Sequence, residues 1–347
     1  MRPAAFIDFI SCVPTFTPQQ LARLSEVVAR SRQRAEAVIA IDDRCATGEA
    51  GGVCPRCSCR QRCRWGRTRT GAQRWRCRDC GATWCGMTGT PLTGIRRPAA
   101  FVSLLRNMLT AEKPWSCRKA ARKLGISRHT AWRWRMRIIG ALPAECPGSL
   151  AGIVEADEAR QRESRKGSRE WVRFQTDPAN HPRPPREPWR HYFSRAAAGQ
   201  APPGGWQAWN RNLLAATDRA GHRVFEAIEN VGERAVSRAL LPAMAPDAVL
   251  CTDGHATYEK IARTAHLTHF ALNAGKRSRR VPKTHHINTV NALISRYRSF
   301  IRPFCGPASR NLTGYGRWHA ARENARYDYI RVFKGFLGSA QVANTLC

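Results

Sequence analysis

The spacing of apolar and polar positions divides the chain into a helical half and a half of mixed strands and helices. Leu21, Leu24, Val27 and Val28 recur at helical spacing. Thr17, Pro18 and Gln20 precede them as a capping box with proline in the first turn. This predicts a helical lead-in over residues 1–50 whose stripe serves packing or an oligomer contact. A short helix is predicted over 117–124, facing inward through Ala120, Ala121 and Leu124. Gly125 then turns the chain, Ser127 caps a second helix, and Ile126 and Ala131 form a hydrophobic staple. That helix carries Ala131, Trp134 and Ile138 on one stripe. Arg128, His129, Arg133, Arg135 and Arg137 populate its other faces. Two helices so joined predict a helix-turn-helix within residues 98–145.

After Leu150 the period shortens. Residues 153–156 predict a strand, with 171–174 as its hairpin partner. Residues 177–205, rich in proline, glycine and arginine, predict a basic insertion. Residues 213–217 and 224–228 predict a hairpin around Asp218-Arg219-Ala220-Gly221. Its turn sequence makes Asp218 structural rather than a ligand. A helix over 233–244, an apolar strand ending at Asp253-Gly254, a helix over 258–264 and another over 289–300 follow. Strands and helices in this order predict a mixed α/β sheet over residues 150–335.

Charge narrows the function. Lys and Arg number 58 against 25 Asp and Glu, a net charge of +33. Nucleic acid is the expected partner, because such side chains neutralise phosphates and release counterions. A membrane surface is the weaker alternative. The sequence holds no apolar run of about 18 residues, and Asp8 breaks the core a signal peptide would need. The expected location is the cytoplasm, associated with the nucleoid.

Seven of the 14 cysteines lie between Cys54 and Cys85. Cys54-Pro55-Arg56-Cys57 and Cys77-Arg78-Asp79-Cys80 each hold two residues between their cysteines. This spacing predicts a zinc ribbon over 51–92, with one structural Zn²⁺ on four thiolates. Cys59, Cys63 and Cys85 are surplus. Trp65, Trp75 and Trp84 stand among arginines, which suits either nucleic-acid contact or the small core of a ribbon.

In so basic a chain, acids at the mouths of apolar strands stand out. Asp157 and Asp253 offer the hard oxygens that Mg²⁺ prefers. Asn291 is a candidate third polar ligand, sharing a helix face with Ser295 and Arg298. The bland alternatives are turn-capping aspartates and a basic surface helix.

With these parts in order, the chain resembles the transposases of bacterial insertion sequences that couple a zinc ribbon and helix-turn-helix to a ribonuclease-H-like DDE domain. The echoes are Cys54-Pro55-Arg56-Cys57, Cys77-Arg78-Asp79-Cys80, Thr88-Gly89-Thr90-Pro91-Leu92, Glu155-Ala156-Asp157-Glu158, Lys166-Gly167, Thr252-Asp253-Gly254 and His286-Ile287-Asn288-Thr289-Val290-Asn291. The resemblance implies that Asp157 and Asp253 are the first two acids of the triad. The third position falls on Asn291, as in one branch of the family. Arg298 stands where the family often has lysine. It further implies two catalytic Mg²⁺ ions, and cleavage and joining of double-stranded DNA without a covalent protein intermediate. The ribbon and helix-turn-helix would read the element's terminal repeats, with Arg128 and Arg133 on the DNA. Pairing two ends implies a homodimer or larger assembly. The alternatives are an inactive DNA-binding regulator and a nuclease that hydrolyses without joining.

Overall fold

The computed structural model describes residues 3–47, 53–69, 73–142, 148–184, 210–272, 284–323 and 329–338. Contacts divide the chain into two compact units, one of Met1–Ala141 with Tyr327–Cys347 and one of Leu142–Arg326.

The first unit begins with helices α1 (Pro3–Cys12) and α2 (Pro18–Thr47). The capping box is formed. Gln20 N donates to Thr17 Oγ1 at 3.3 Å, and Thr17 N donates to Gln20 Oε1 at 2.8 Å. Strands β1 (Arg62–Arg67), β2 (Gln73–Cys77) and β3 (Thr83–Cys85) make a small antiparallel sheet. Helix α3 (Pro98–Thr110) buries Phe101, Leu104, Leu105 and Met108. Helices α4 (Cys117–Leu124) and α5 (Arg128–Ala141) follow. Gly125 between them sits at φ +60°, where a side chain is disfavoured, and its N–H closes α4 on the Ala121 carbonyl. Ser127 Oγ accepts from Thr130 N at 3.0 Å, capping α5. Ala131, Trp134 and Ile138 are buried as their stripe predicts.

Arg135 departs from the expectation of a solvent-facing side chain. It is 5% exposed, and its guanidinium donates to the Trp115 carbonyl. Its head finds a backbone acceptor, which lets the charged side chain be buried. Arg137 is similarly held, on the Thr93 carbonyl.

The second unit is built on a five-stranded sheet. Its strands are β4 (Ile153–Arg162), β5 (Asn210–Asp218), β6 (Arg223–Ile228), β7 (Val249–Thr252) and β8 (Thr268–Ala271), in the order β6-β5-β4-β7-β8. β4, β5 and β6 pair antiparallel, and β7 and β8 run parallel to β4. Its helices are α6 (Glu170–Thr176), α7 (Glu233–Leu240), α8 (Ala256–Thr264), α9 (Asn288–Ile301) and α10 (Leu312–Glu323).

Strand periodicity sends alternate residues to opposite faces. Val154, Ala156, Leu214, Ala216 and Leu250 pack with Val236 and Leu240 of α7 and Tyr258 and Ile261 of α8. Ala159, Leu213, Ala215 and Phe225 pack with Val290, Leu293, Ile294 and Tyr297 of α9 and with Leu312 and Ala320 of α10.

Residues 171–174 are not a strand. They lie in α6, and β4 pairs instead with β5, from Val154↔Asp218 to Arg162↔Asn210. Trp171 and Phe174 are three apart and meet edge to face at 5.9 Å, a helical rather than a strand relation. Most of the basic insertion expected at 177–205 lies outside the described residues.

The last helix, α11 (Tyr329–Gly338), belongs to the first unit. It packs on α2 and α3 with Tyr329, Val332, Phe333 and Phe336 buried.

Candidate functional site

Backbone register brings two carboxylates together. β4 and β7 pair Ile153↔Val249, Val154↔Leu250 and Glu155↔Cys251. Two residues further along each strand direction stand Asp157 and Asp253. β7 stops at Thr252, Asp253 is exposed, and Gly254 breaks away at φ +86°. Asp157 shares the strand parity of Ala159 and so lies on the α9 face of the sheet.

Burial pushes the Asp157 carboxyl above its usual range. The Glu158 N–H, 2.7 Å from Oδ1, opposes that rise, the charge of Asp253 adds to it, and Arg298 and Arg160 oppose it. An acid held up by burial and by a second acid is a place where a cation is favoured. Hard carboxylate oxygens are the donors that fit Mg²⁺. Asn291 and Arg298, both exposed, stand seven residues apart on α9. Seven residues are almost two helical turns, so both project from one edge of the helix. The influence of Arg298 on Asp157 marks that edge as the one toward the acid pair.

The opposite face of β4 carries Glu158. Burial raises this carboxyl, the Tyr258 hydroxyl donates to it and lowers it, and Asp157 and Asp253 raise it further. Tyr258 itself is fully buried, and burial together with the Glu158 charge pushes its hydroxyl well up.

Four residues around the acids were not assigned a role from sequence: Glu155, Glu158, Arg219 and Tyr258. Glu155 and Asp157 are two apart on a strand, so alternation alone places them on one face. That signal was available. Arg219 sits in a hairpin turn, where nothing local announces its partner. Asp218 ends β5 and holds the hairpin turn that follows. It is buried and accepts from His222 N at 2.8 Å.

In the first unit, Cys54, Cys57, Cys77 and Cys80 converge, their sulfurs all within 4.8 Å of one another. Cys54 Sγ lies 3.5 Å from Cys80 Sγ, and Cys57 Sγ lies 3.5 Å from Cys77 Sγ. Tetrahedral zinc with Zn–S of about 2.3 Å asks for sulfurs about 3.8 Å apart, which fits. Burial raises the Cys54 thiol, but the backbone N–H groups of Cys57 and Arg56 and its thiol neighbours outweigh it and bring it to about 7. Cys77 is lowered chiefly by the N–H of Cys80. Cys59 packs beside the quartet, while Cys63 and Cys85 sit on β1 and β3. The tryptophans differ in their surroundings. Trp84 is buried in the small core. Trp65 is exposed, with the Arg76 guanidinium 4.3 Å over its ring.

Arg128, His129, Trp132 and Arg133 form the exposed side of α5, with His129 and Trp132 stacked at 6.1 Å. Beside them a cleft of about 510 Å³ is lined by Arg96, Arg97, Arg133 and Arg137 at the capped start of the helix.

These features define a mixed α/β unit with paired acids, joined in one chain to a four-cysteine, arginine-rich unit. Residues 198–313 match the family model of the ISXO2-like transposase domain, which supports an insertion-sequence transposase. The four-cysteine cluster is compatible with a zinc ribbon, and the mixed sheet is consistent with a ribonuclease-H-like transposase domain. The match takes in Asp253, Asn291 and Arg298 and begins after Asp157. No curated protein and no solved structure matches the chain. Among the described residues, no helix is long and apolar enough to cross a membrane.

Proposed function

We propose that this chain is a DNA transposase that binds the ends of an insertion sequence and catalyses metal-dependent cleavage and strand transfer. The observation that supports the reading is the β4–β7 register: it pairs Glu155 with Cys251, and Asp157 and Asp253 each follow two residues on, at the same end of the sheet. Asp157, Asp253 and Asn291 would hold two Mg²⁺ ions. When bound, Mg²⁺ supplies charge stabilisation to the attacking and leaving oxygens of an in-line displacement. Asp157 and Asp253 would supply the two carboxylates and Asn291 a neutral oxygen. Arg298, on the same helix edge as Asn291, pairs with a DNA phosphate.

The first unit recognises the ends. Its cysteine quartet would hold structural zinc, leaving no open position for chemistry. α4 and α5 act as the helix-turn-helix, with Arg128 and Arg133 on the duplex. Pairing two ends requires at least a dimer. The match to a transposase domain does not favour an inactive regulator.

The test is incubation of the full chain with Mg²⁺ and duplex DNA carrying the flanking repeats. Cleaved and joined products are expected from the native chain and none from Asp157→Asn at equal DNA occupancy. Binding without cleavage by the native chain would return the reading to a regulator. Cleavage without joining would make it a nuclease.

A further inference from the structure

One buried carboxylate near the acid pair is not among the proposed metal ligands. Glu155 is 1% exposed and lies on the same face of β4 as Asp157. A charge this deep is strongly disfavoured unless it is compensated. Its surroundings compensate it. Arg219 Nη1 stands 2.5 Å from Glu155 Oε1, and His286 Nδ1 stands 3.2 Å from the same oxygen. The other oxygen, Oε2, accepts from Val290 N at 2.9 Å.

That last bond concerns how α9 begins. The first N–H groups of a helix have no partner within it and are usually met by the residue that caps it. At α9 that residue is Ile287, which has no side chain able to do so. Glu155 reaches across from the central strand instead, and its negative charge suits the positive end of the helix. Arg219 completes the fastening. Its Nη1 donates to Thr289 Oγ1 at 2.8 Å and its Nη2 to the Thr284 carbonyl at 3.1 Å. One guanidinium from the β5–β6 turn thus holds the buried acid of β4 and the entry of α9 together.

Asn291 is the residue after Val290. Asp157 is two residues after Glu155. The bond between Glu155 and Val290 therefore joins the two elements one or two residues from each proposed ligand. We propose that Glu155, clamped by Arg219, is a positioning residue: it fixes the start of α9 against β4 and so sets Asn291 relative to Asp157. This rests on the reading of Asn291 as the third ligand.

The test separates the two ideas. Mn²⁺ is titrated into the full chain bound to repeat-end DNA and followed by electron paramagnetic resonance. Amide exchange at Val290 is followed by mass spectrometry. Glu155→Gln keeps the shape and weakens the clamp. It should raise the half-saturating Mn²⁺ concentration by about tenfold, as loss of an outer-sphere partner does, and speed exchange at Val290. Asn291→Ala should also raise the Mn²⁺ requirement, and the double variant should do no worse than Asn291→Ala alone. Arg219→Gln, altering a partly exposed partner, should reproduce the Glu155→Gln shift. It decides the matter if Glu155→Gln does not fold. Native Mn²⁺ binding in folded Glu155→Gln or Arg219→Gln overturns the proposal. So does a full additional loss when either is combined with Asn291→Ala. Native binding in Asn291→Ala alone instead sinks the third-ligand reading on which the proposal stands.

Discussion

Tyr258 and Glu158 meet across the side of β4 that faces away from Asp157. The tyrosine is fully buried on α8, and its hydroxyl donates to the half-buried glutamate. Tyr258→Phe removes the donor from a half-buried carboxylate. The expected loss is about 1–3 kcal/mol of stability. Urea denaturation of the full chain measures it, and an unchanged midpoint would show that the bond contributes nothing.

Asp157 and Glu158 both have carboxyls raised above their ordinary values of 3.8 and 4.5, in each case chiefly by burial. The folded chain therefore holds their protons at pH values where the unfolded chain has released them. Stability falls as pH rises from those ordinary values through the raised ones, and both acids remain a cost at neutral pH. Asp157→Asn should raise the melting temperature at pH 7 in chelator and abolish stabilisation by Mg²⁺. A variant that melts below the native chain in chelator contradicts this account.

Cys77→Ser removes one sulfur from the quartet. Structural zinc supplies the folding energy of small domains of this kind. One zinc per chain is expected in the native protein. The variant should lose it, together with the protection of residues 53–85 from proteolysis. Elemental analysis finding no zinc in native protein made under reducing, zinc-replete conditions would refute the assignment.

Arg128→Ala and Arg133→Ala alter the exposed side of α5 without touching Ala131, Trp134 or Ile138. Each should weaken binding to element ends by about 1–3 kcal/mol if it reads a base. If it contacts a phosphate instead, it should lower the salt dependence of binding. Native affinity and native salt slope in both variants would move the DNA to another surface.

Gly316 permits the close seat of α10 on the sheet. A Cβ added there would lie 2.7 Å from Phe225 Cβ and 3.4 Å from the Phe225 carbonyl oxygen. Gly316→Ala should destabilise the unit by about 1–3 kcal/mol, through a shift of α10 or β6. Thermal denaturation checks this; a native melting temperature would mean that the contact yields freely.

What the sequence revealed followed the range of each interaction. The Thr17 box, the turn at Gly125 and the Ser127 cap are settled within five residues, so local chemistry suffices to see them. The Asp253 strand end was visible because an apolar run stops there at an acid and a glycine. Residues 171–174 misled because Trp171, Val172 and Phe174 suit a strand as well as one helical turn, and only the longer pairing of β4 with β5 excludes the strand. Arg135 looked like a surface residue because periodicity cannot show that the Trp115 carbonyl, 20 residues back, awaits it. The partners of Glu155 and Arg219 were hidden for the same reason. They lie 135 residues and 70 residues away along the chain, at Val290 and Thr289.

α11 gives the order of synthesis a structural consequence. The side chains of Tyr329, Val332, Phe333 and Phe336 fill space against α2 and α3. They emerge from the ribosome only after the whole of Leu142–Arg326 has been translated. The cysteine-bearing unit therefore waits, with part of its apolar surface uncovered, until the sheet that carries the acids already exists. A polypeptide interrupted inside the sheet would carry α2 and α3 without their final cover.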